Sequence, residues 1–214
     1  MTWIKICGTT NLEDALLAVE AGVDALGFVF YEKSPRYVSV EQVREIVREL
    51  PEGVEKVGVF VNETWERVEE IADSAGLTAI QLHGGEYSRQ QWPATERKIY
   101  LAVPAQELAK DEVVMAVPRN LRAVIVDSGT EKQPGGTGKV FDWTASRAAV
   151  AAVKRSVSVV VAGGLSPENV KRAIEVFRPW GVDVVSGVER EPGKKDPDKV
   201  KAFVAAVREA ERSQ

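Results

Sequence analysis

Val157-Ser158-Val159-Val160-Val161-Ala162-Gly163-Gly164, followed by Ser166-Pro167-Glu168-Asn169, is the stretch that decides the fold. Its first six residues form a nearly continuous apolar run. Strands covered on both faces read that way, whereas a strand with one wet face alternates. Two glycines then release the chain. Ser166 at an N-cap and Pro167 at the first helical position predict a helix from Pro167 to Phe177. A covered strand, a glycine turn and a helix make one unit of a parallel α/β sheet.

The same unit recurs on both sides. Strands are predicted at Trp3–Ile6, Ala25–Phe30, Lys56–Val61, Ala79–Leu82, Lys98–Ala102, Ala123–Val126, Val157–Ala162 and Val182–Ser186. Helices are predicted at Leu12–Ala21, Val40–Glu49, Trp65–Ala75, Ser88–Trp92, Gln106–Val114, Trp143–Val153, Pro167–Phe177 and Asp198–Glu211. Pro93 limits the fourth helix, and Pro104 and Pro118 bound the fifth. Asn11 is placed to cap Leu12, and Gly22 and Gly76 stand where helices end in a left-handed residue. Strict alternation implies right-handed βαβ units, and this many units in 214 residues predict a closed (β/α)8 barrel of eight parallel strands. No low-complexity linker breaks the chain, so residues 1–214 read as a single domain. Gly135-Gly136-Thr137-Gly138 falls within one βα loop.

Composition narrows the class. The chain is 44% hydrophobic and holds one cysteine, so no internal disulfide forms and a reducing, cytoplasmic setting is expected. Net charge is -4 with no basic stripe, which argues against nucleic acid. No apolar run has the length of a membrane span, and the first residues show no secretory h-region. One histidine and one cysteine fall short of a metal ligand set.

In such a barrel, chemistry belongs at the C-terminal ends of the strands. Cys7 ends the first strand before Gly8, and Arg36 lies in the loop after the second. His83 ends the fourth, Asp127 the sixth, Gly163-Gly164 the seventh and Ser186-Gly187 the eighth. Glycine-freed N–H groups after strands seven and eight suit a phosphate, with Ser186 adding a hydroxyl; otherwise these glycines only permit tight turns. Cys7 is open to three readings: nucleophile, base or small buried filler. A nucleophile wants a histidine, but His83 sits on the fourth strand, away from the first. Asp127 is either an acid facing Cys7 or the partner of an ion pair or cap. With ordinary values of about 8.5 and 3.9, thiolate and protonated carboxyl coexist in a few molecules in about 10⁵ at neutral pH. Raising Asp127 to near 7 requires roughly 4 kcal/mol, for which burial against apolar walls and a nearby substrate anion are the two sources. Arg36 offers a planar fork for a carboxylate, or is a solvated side chain. Lys5 shares the inward face of Cys7 and needs a carboxylate, for which Asp183 on the neighbouring eighth strand is the candidate.

Taken in order, Lys5-Ile6-Cys7-Gly8, Ala25-Leu26-Gly27-Phe28-Val29-Phe30, Lys33-Ser34-Pro35-Arg36-Tyr37-Val38, Gln81-Leu82-His83-Gly84, Val126-Asp127, Gly135-Gly136-Thr137-Gly138 with Phe141-Asp142-Trp143, Ala162-Gly163-Gly164-Leu165, Ser186-Gly187-Val188-Glu189 and Pro192-Gly193 before Lys195-Asp196 resemble the phosphoribosylanthranilate isomerase family of tryptophan biosynthesis. The resemblance implies an Amadori rearrangement of a phosphorylated small molecule, without metal or cofactor, in a monomer or homodimer. It implies Cys7 as general base and Asp127 as general acid. It also implies that Arg36 holds the anthranilate carboxylate, that Gly163, Gly164, Ser186 and Gly187 form the phosphate region, and that His83 lines the pocket. Val185 departs from the family's usual serine, and Glu32 stands where a small residue is expected. The related histidine-pathway isomerase uses an aspartate as its first-strand base, so Cys7 argues against that rival. A binding module or degenerate barrel is the non-enzyme alternative, and the presence of Cys7, Asp127 and Arg36 together argues against it.

Overall fold

The computed structural model describes residues 1–83, 95–108, 120–129 and 141–212, and within them all eight predicted strands form. They are β1 (Trp3–Cys7), β2 (Ala25–Val29), β3 (Glu55–Val61), β4 (Ala79–His83), β5 (Lys98–Pro104), β6 (Leu121–Asp127), β7 (Val159–Val161) and β8 (Gly181–Val184). They close into a parallel barrel in chain order, sealed where β1 pairs with β8. The helices are α1 (Leu12–Glu20), α2 (Val40–Arg48), α3 (Trp65–Ala75), α4 (Trp143–Val153), α5 (Val170–Phe177) and α6 (Pro197–Arg212). The predicted helix Ser88–Trp92, most of Gln106–Val114 and the Gly135–Gly138 stretch lie outside the described residues; Ala105–Glu107 makes a short 3-10 turn. No helix among the described residues is long and apolar enough to cross a membrane.

Local signals explain most boundaries. The Asn11 side chain accepts from the Asp14 N–H at 2.8 Å and starts α1. Gly76 ends α3 at φ 71°, a left-handed conformation that a Cβ disfavours. The start of α5 differs from expectation. Ser166 and Pro167 enter a turn instead, and Asn169 bridges it, accepting from Ser166 N–H and donating to the Gly164 carbonyl, both at 2.9 Å. The side chain thus fastens the glycine loop to the helix.

Side-chain alternation sorts the strands into an inner and an outer face. Ile4, Ile6, Leu26, Phe28, Ile80, Leu82, Val159 and Val161 join the core between barrel and helices. Trp3, Ala25, Val57, Ala79, Tyr100, Ala123, Ile125 and Val160 pack inside the barrel. Trp3 plugs its N-terminal end, stacked on Tyr100 at 5.2 Å and Trp180 at 5.0 Å. Gly181, opposite Trp3, has no Cβ because one would stand 2.9 Å from the indole. Arg122 covers the outer face of Trp180 at 4.1 Å.

After β8 the chain adds a feature not foreseen from sequence. A hairpin of β9 (Glu189–Glu191) and β10 (Lys194–Lys195) turns at Gly193 and folds against the loop that leaves β1.

The plug and the strand exits lie at opposite ends of the barrel. Trp3→Ala is therefore expected to cost about 3–5 kcal/mol in a urea titration, while kcat stays within about twofold of wild type.

Candidate active site

Continuing the inward face of each strand to its C-terminal end gives the site. On β1 that face carries Lys5 and then Cys7; on β4, Gln81 and His83; on β6, Asp127; on β8, Asp183. Pairing register sets Lys5 opposite Asp183 and Cys7 opposite Gly27. Gly27 leaves room for both β1 side chains: a Cβ there would stand 2.6 Å from Cys7 Sγ and 3.0 Å from Lys5 Cε. The predicted Lys5–Asp183 pair forms, with Lys5 Nζ donating to both carboxylate oxygens at 3.0 Å.

Cys7 is buried. Burial raises the thiol's pKa, and the Asp183 carboxylate adds to this, while the Lys5 and Lys195 ammonium groups only partly offset it. The protein at rest therefore holds a thiol. Asp127 shifts the other way, which removes burial as the source of a raised carboxyl value and leaves the substrate anion. Burial alone raises its pKa, but the His83 imidazole and the Ser128 backbone N–H and hydroxyl outweigh burial and hold the carboxyl below its ordinary value of 3.8. It rests as a carboxylate. Polar neighbours at the strand exit, which sequence reasoning did not weigh, reverse the shift expected from apolar walls.

His83 does not reach Cys7. Its Nε2 lies 4.0 Å from Asp127 Oδ2, close enough to act through charge but too far for a hydrogen bond, and is buried with no hydrogen-bond partner among the described residues. Gln81 Oε1 and Thr9 Oγ1 are also buried with no hydrogen-bond partner among the described residues. Buried polar atoms are normally satisfied, so unpaired groups at the strand exits mark a place for a polar ligand or water.

Arg36 is buried, not a solvated side chain. Its Nε and Nη2 grip Glu189 as a fork, at 2.9 and 2.7 Å. That uses one edge of the guanidinium and leaves Nη1 without a protein acceptor among the described residues. Gly8, at φ 72°, makes room: a Cβ there would stand 2.6 Å from Arg36 Cδ and 3.3 Å from Val185 Cγ1. Val185 thus packs against the exit of β1, beside Arg36. Glu32 is exposed.

Glu189 and Lys195, both on the hairpin, were not singled out by sequence reasoning as site residues. Lys195 Nζ donates to the Cys7 carbonyl at 2.6 Å and to Glu189 at 3.0 Å, and Lys195 N–H donates to Asp14 at 2.9 Å. Glu189 also accepts from Gly193 N–H. The one signal for them was their place in the ordered motifs that follow the last barrel strand.

Across the mouth, Gly163 and Gly164 are both left-handed, at φ 75° and 67°. A Cβ on Gly163 would stand 2.8 Å from Asp127 Oδ1, and one on Gly187 would stand 1.9 Å from the Leu165 carbonyl oxygen. The loops after β7 and β8 are therefore in contact, with Ser186 in a 3-10 turn between Val185 and Val188. The amide groups of Gly163 and Gly164 have no backbone acceptor among the described residues. Amides left free in the loop after the seventh strand stand where barrels of this class often hold a phosphate.

The mouth thus brings two glycines with free amides, a half-used guanidinium, a thiol and a carboxylate to the rim of one α/β barrel, the class of an α/β-barrel enzyme. The family model for N-(5'-phosphoribosyl)anthranilate (PRA) isomerase matches residues 4–206. The N-(5'-phosphoribosyl)anthranilate isomerase of Citrifermentans bemidjiense is 45% identical over 205 residues, which cover 96% of each chain. A phosphoribosyl anthranilate isomerase crystallised with reduced 1-(o-carboxyphenylamino)-1-deoxyribulose 5-phosphate has TM-score 0.77 and 39% identity, covering 98% of this chain and 100% of that one. Monomers derived from the dimeric Thermotoga maritima isomerase give 0.79 and 40%, with the same coverage. The chain belongs to the N-(5'-phosphoribosyl)anthranilate isomerase family.

The hairpin network makes a pH prediction. Burial alone raises the Glu189 carboxyl, but Arg36 and Lys195 hold it below the ordinary 4.5 in the folded chain. The stability it supplies is therefore complete above 4.5 and is lost as pH falls through the lower folded value. In urea unfolding, Glu189→Gln should lie about 2 kcal/mol below wild type near neutral pH, and the gap should close as the pH drops below 4.5.

Proposed function

We propose that this chain isomerises N-(5-phosphoribosyl)anthranilate to 1-(2-carboxyphenylamino)-1-deoxyribulose 5-phosphate, with residues 1–214 acting as a single domain. The observation that supports the reading is the packing of two glycines at the strand exits. Gly8, the residue after Cys7, lies against Arg36, and Gly163 lies against Asp127. A substrate with a carboxylate at one end and a phosphate at the other then lies with its ribose between base and acid.

In this reading Gly163, Gly164, Ser186 and Gly187 hold the phosphate. The free edge of Arg36 takes the anthranilate carboxylate while Glu189 keeps the guanidinium in plane. Fixing both ends supplies the positioning from which such reactions gain most. Asp127 gives a proton to the ribose ring oxygen; the ring C–O bond breaks and an iminium ion forms at C1. The iminium acidifies the hydrogen on C2. Cys7 takes that proton as its thiolate, and the C–H electron pair forms the enolamine, which tautomerises to the ketone. His83 and Gln81 line the ring's face, where their unpaired atoms meet the sugar hydroxyls. The phosphorylated product analogue bound by the related isomerase supports this choice of substrate.

The resting proton sits on Cys7, and the reaction needs it on Asp127. The two arrangements hold the same number of protons, so changing pH between the two pKa values does not alter their ratio. The active fraction is small but constant, and the substrate or the surrounding charges must favour it.

Two measurements follow. Cys7→Ser and Asp127→Ala should each lower kcat by about 10³-fold or more with the fold intact by circular dichroism. Near wild-type turnover in either would reject its assigned role. In wild type, kcat/KM should be flat between the limbs of the pair. The acid limb falls below the ordinary carboxyl value of 3.8 and the alkaline limb above the ordinary thiol value of 9.0.

A further inference from the structure

We propose that Lys5 is the positioning residue that makes the Cys7 thiolate available, and that Asp183 holds its ammonium inside the barrel for that purpose. The proposal rests on the reading of Cys7 as base. Lys5 has 0% exposure, and its two acceptors are the two oxygens of Asp183. A buried ion pair is a costly way to fill a barrel layer, since well-packed apolar residues often do as well or better. This layer is otherwise built from small and apolar residues such as Ala25, Val57 and Ala123. What distinguishes the lysine's place is its neighbour. Lys5 and Cys7 are two residues apart on one face of β1, and both side chains close over the space that Gly27 leaves empty. An alanine at 27 would crowd the sulfur and the lysine's ε-carbon together.

The charged groups around the thiol are Lys5 on β1, Asp183 on β8, Lys195 on β10 and Arg36 in the loop after β2. Lys195 acts from behind, through the Cys7 carbonyl, and both its charge and that of Arg36 are shared with Glu189. Lys5 is the cation on the thiol's own face. Asp183 opposes it, but the favourable effect of Lys5 on the thiolate is the larger of the two. The pair therefore acts as an oriented dipole with its positive end toward the sulfur. When Cys7 gives up its proton, the charge it gains already faces an ammonium, and no solvent has to reorganise.

The test uses the chain's single cysteine. The thiolate's ultraviolet absorbance is followed against pH, with Cys7→Ser subtracted to remove the tyrosines. Two variants are compared with wild type. In the double variant Lys5→Met/Asp183→Leu an apolar pair replaces the ionic one. In Lys5→Gln a neutral donor to Asp183 remains, which protects against a loss of fold. In each variant that folds, the thiol midpoint should rise by about one pH unit or more. At a fixed pH between the two limbs, kcat should fall about tenfold with KM within about twofold, and the alkaline limb should move up with the thiol midpoint. An unmoved thiol midpoint in a folded variant overturns the proposal, whatever happens to kcat, because it leaves Lys5 with a packing role only. Failure of the base reading itself would show separately, as turnover in Cys7→Ser.

Discussion

The pleat of β1, locked in register against β8, is the constraint on which the rest of the molecule depends. Trp3, Lys5 and Cys7 point inward because side chains alternate along a strand. Register with β8 sets Lys5 opposite Asp183, so the buried ammonium meets a carboxylate at 3.0 Å. A slip of one residue would send Ile4 and Ile6 into the barrel and expel the lysine and the thiol toward the helices. One strand therefore plugs the barrel at Trp3, seals it at Lys5 and brings the Cys7 thiol to the mouth. An unpaired Lys5 would leave a buried charge costing several kcal/mol, so the ion pair enforces the register that places the thiol.

A second set of charges acts at the mouth. Arg36, Glu189, Lys195 and the Cys7 carbonyl form one buried chain of hydrogen bonds. It ties the loop after β2 and the hairpin after β8 to the end of β1. In the proposed reaction the same chain holds the carboxylate-binding fork beside the base. Across the mouth, Asn169 ties the Gly163-Gly164 loop to α5, and Gly163 presses on Asp127. In the proposed reaction each anion site is thus mechanically joined to one reacting group.

The barrel was legible from sequence because it rests on local patterns. Apolar runs, glycine exits and Asn11 or Gly76 at helix ends each report on a few neighbouring residues. The strand-exit residues were legible for the same reason, since fold class alone puts Cys7, Asp127 and Gly163 at the mouth. The Lys5–Asp183 pair followed from alternation plus closure. The reach of the hairpin was not legible, because Lys195 contacts Cys7 across 188 positions and no periodicity encodes that distance. Which way the pocket itself shifts Asp127 was not legible either. It depends on where His83 and the Ser128 groups sit relative to the carboxylate, and burial alone points the other way.

The most direct test of the account is a crystal structure of this chain with reduced 1-(o-carboxyphenylamino)-1-deoxyribulose 5-phosphate. The account predicts phosphate in the cradle of Gly163, Gly164 and Gly187, and the carboxylate on the free edge of Arg36 with Glu189 still in place. It also predicts C2 within about 4 Å of Cys7 Sγ, with Asp127 on the side of the ring-derived oxygen. A ligand bound the other way round, or one whose C2 lies nearer His83 than Cys7, would contradict it.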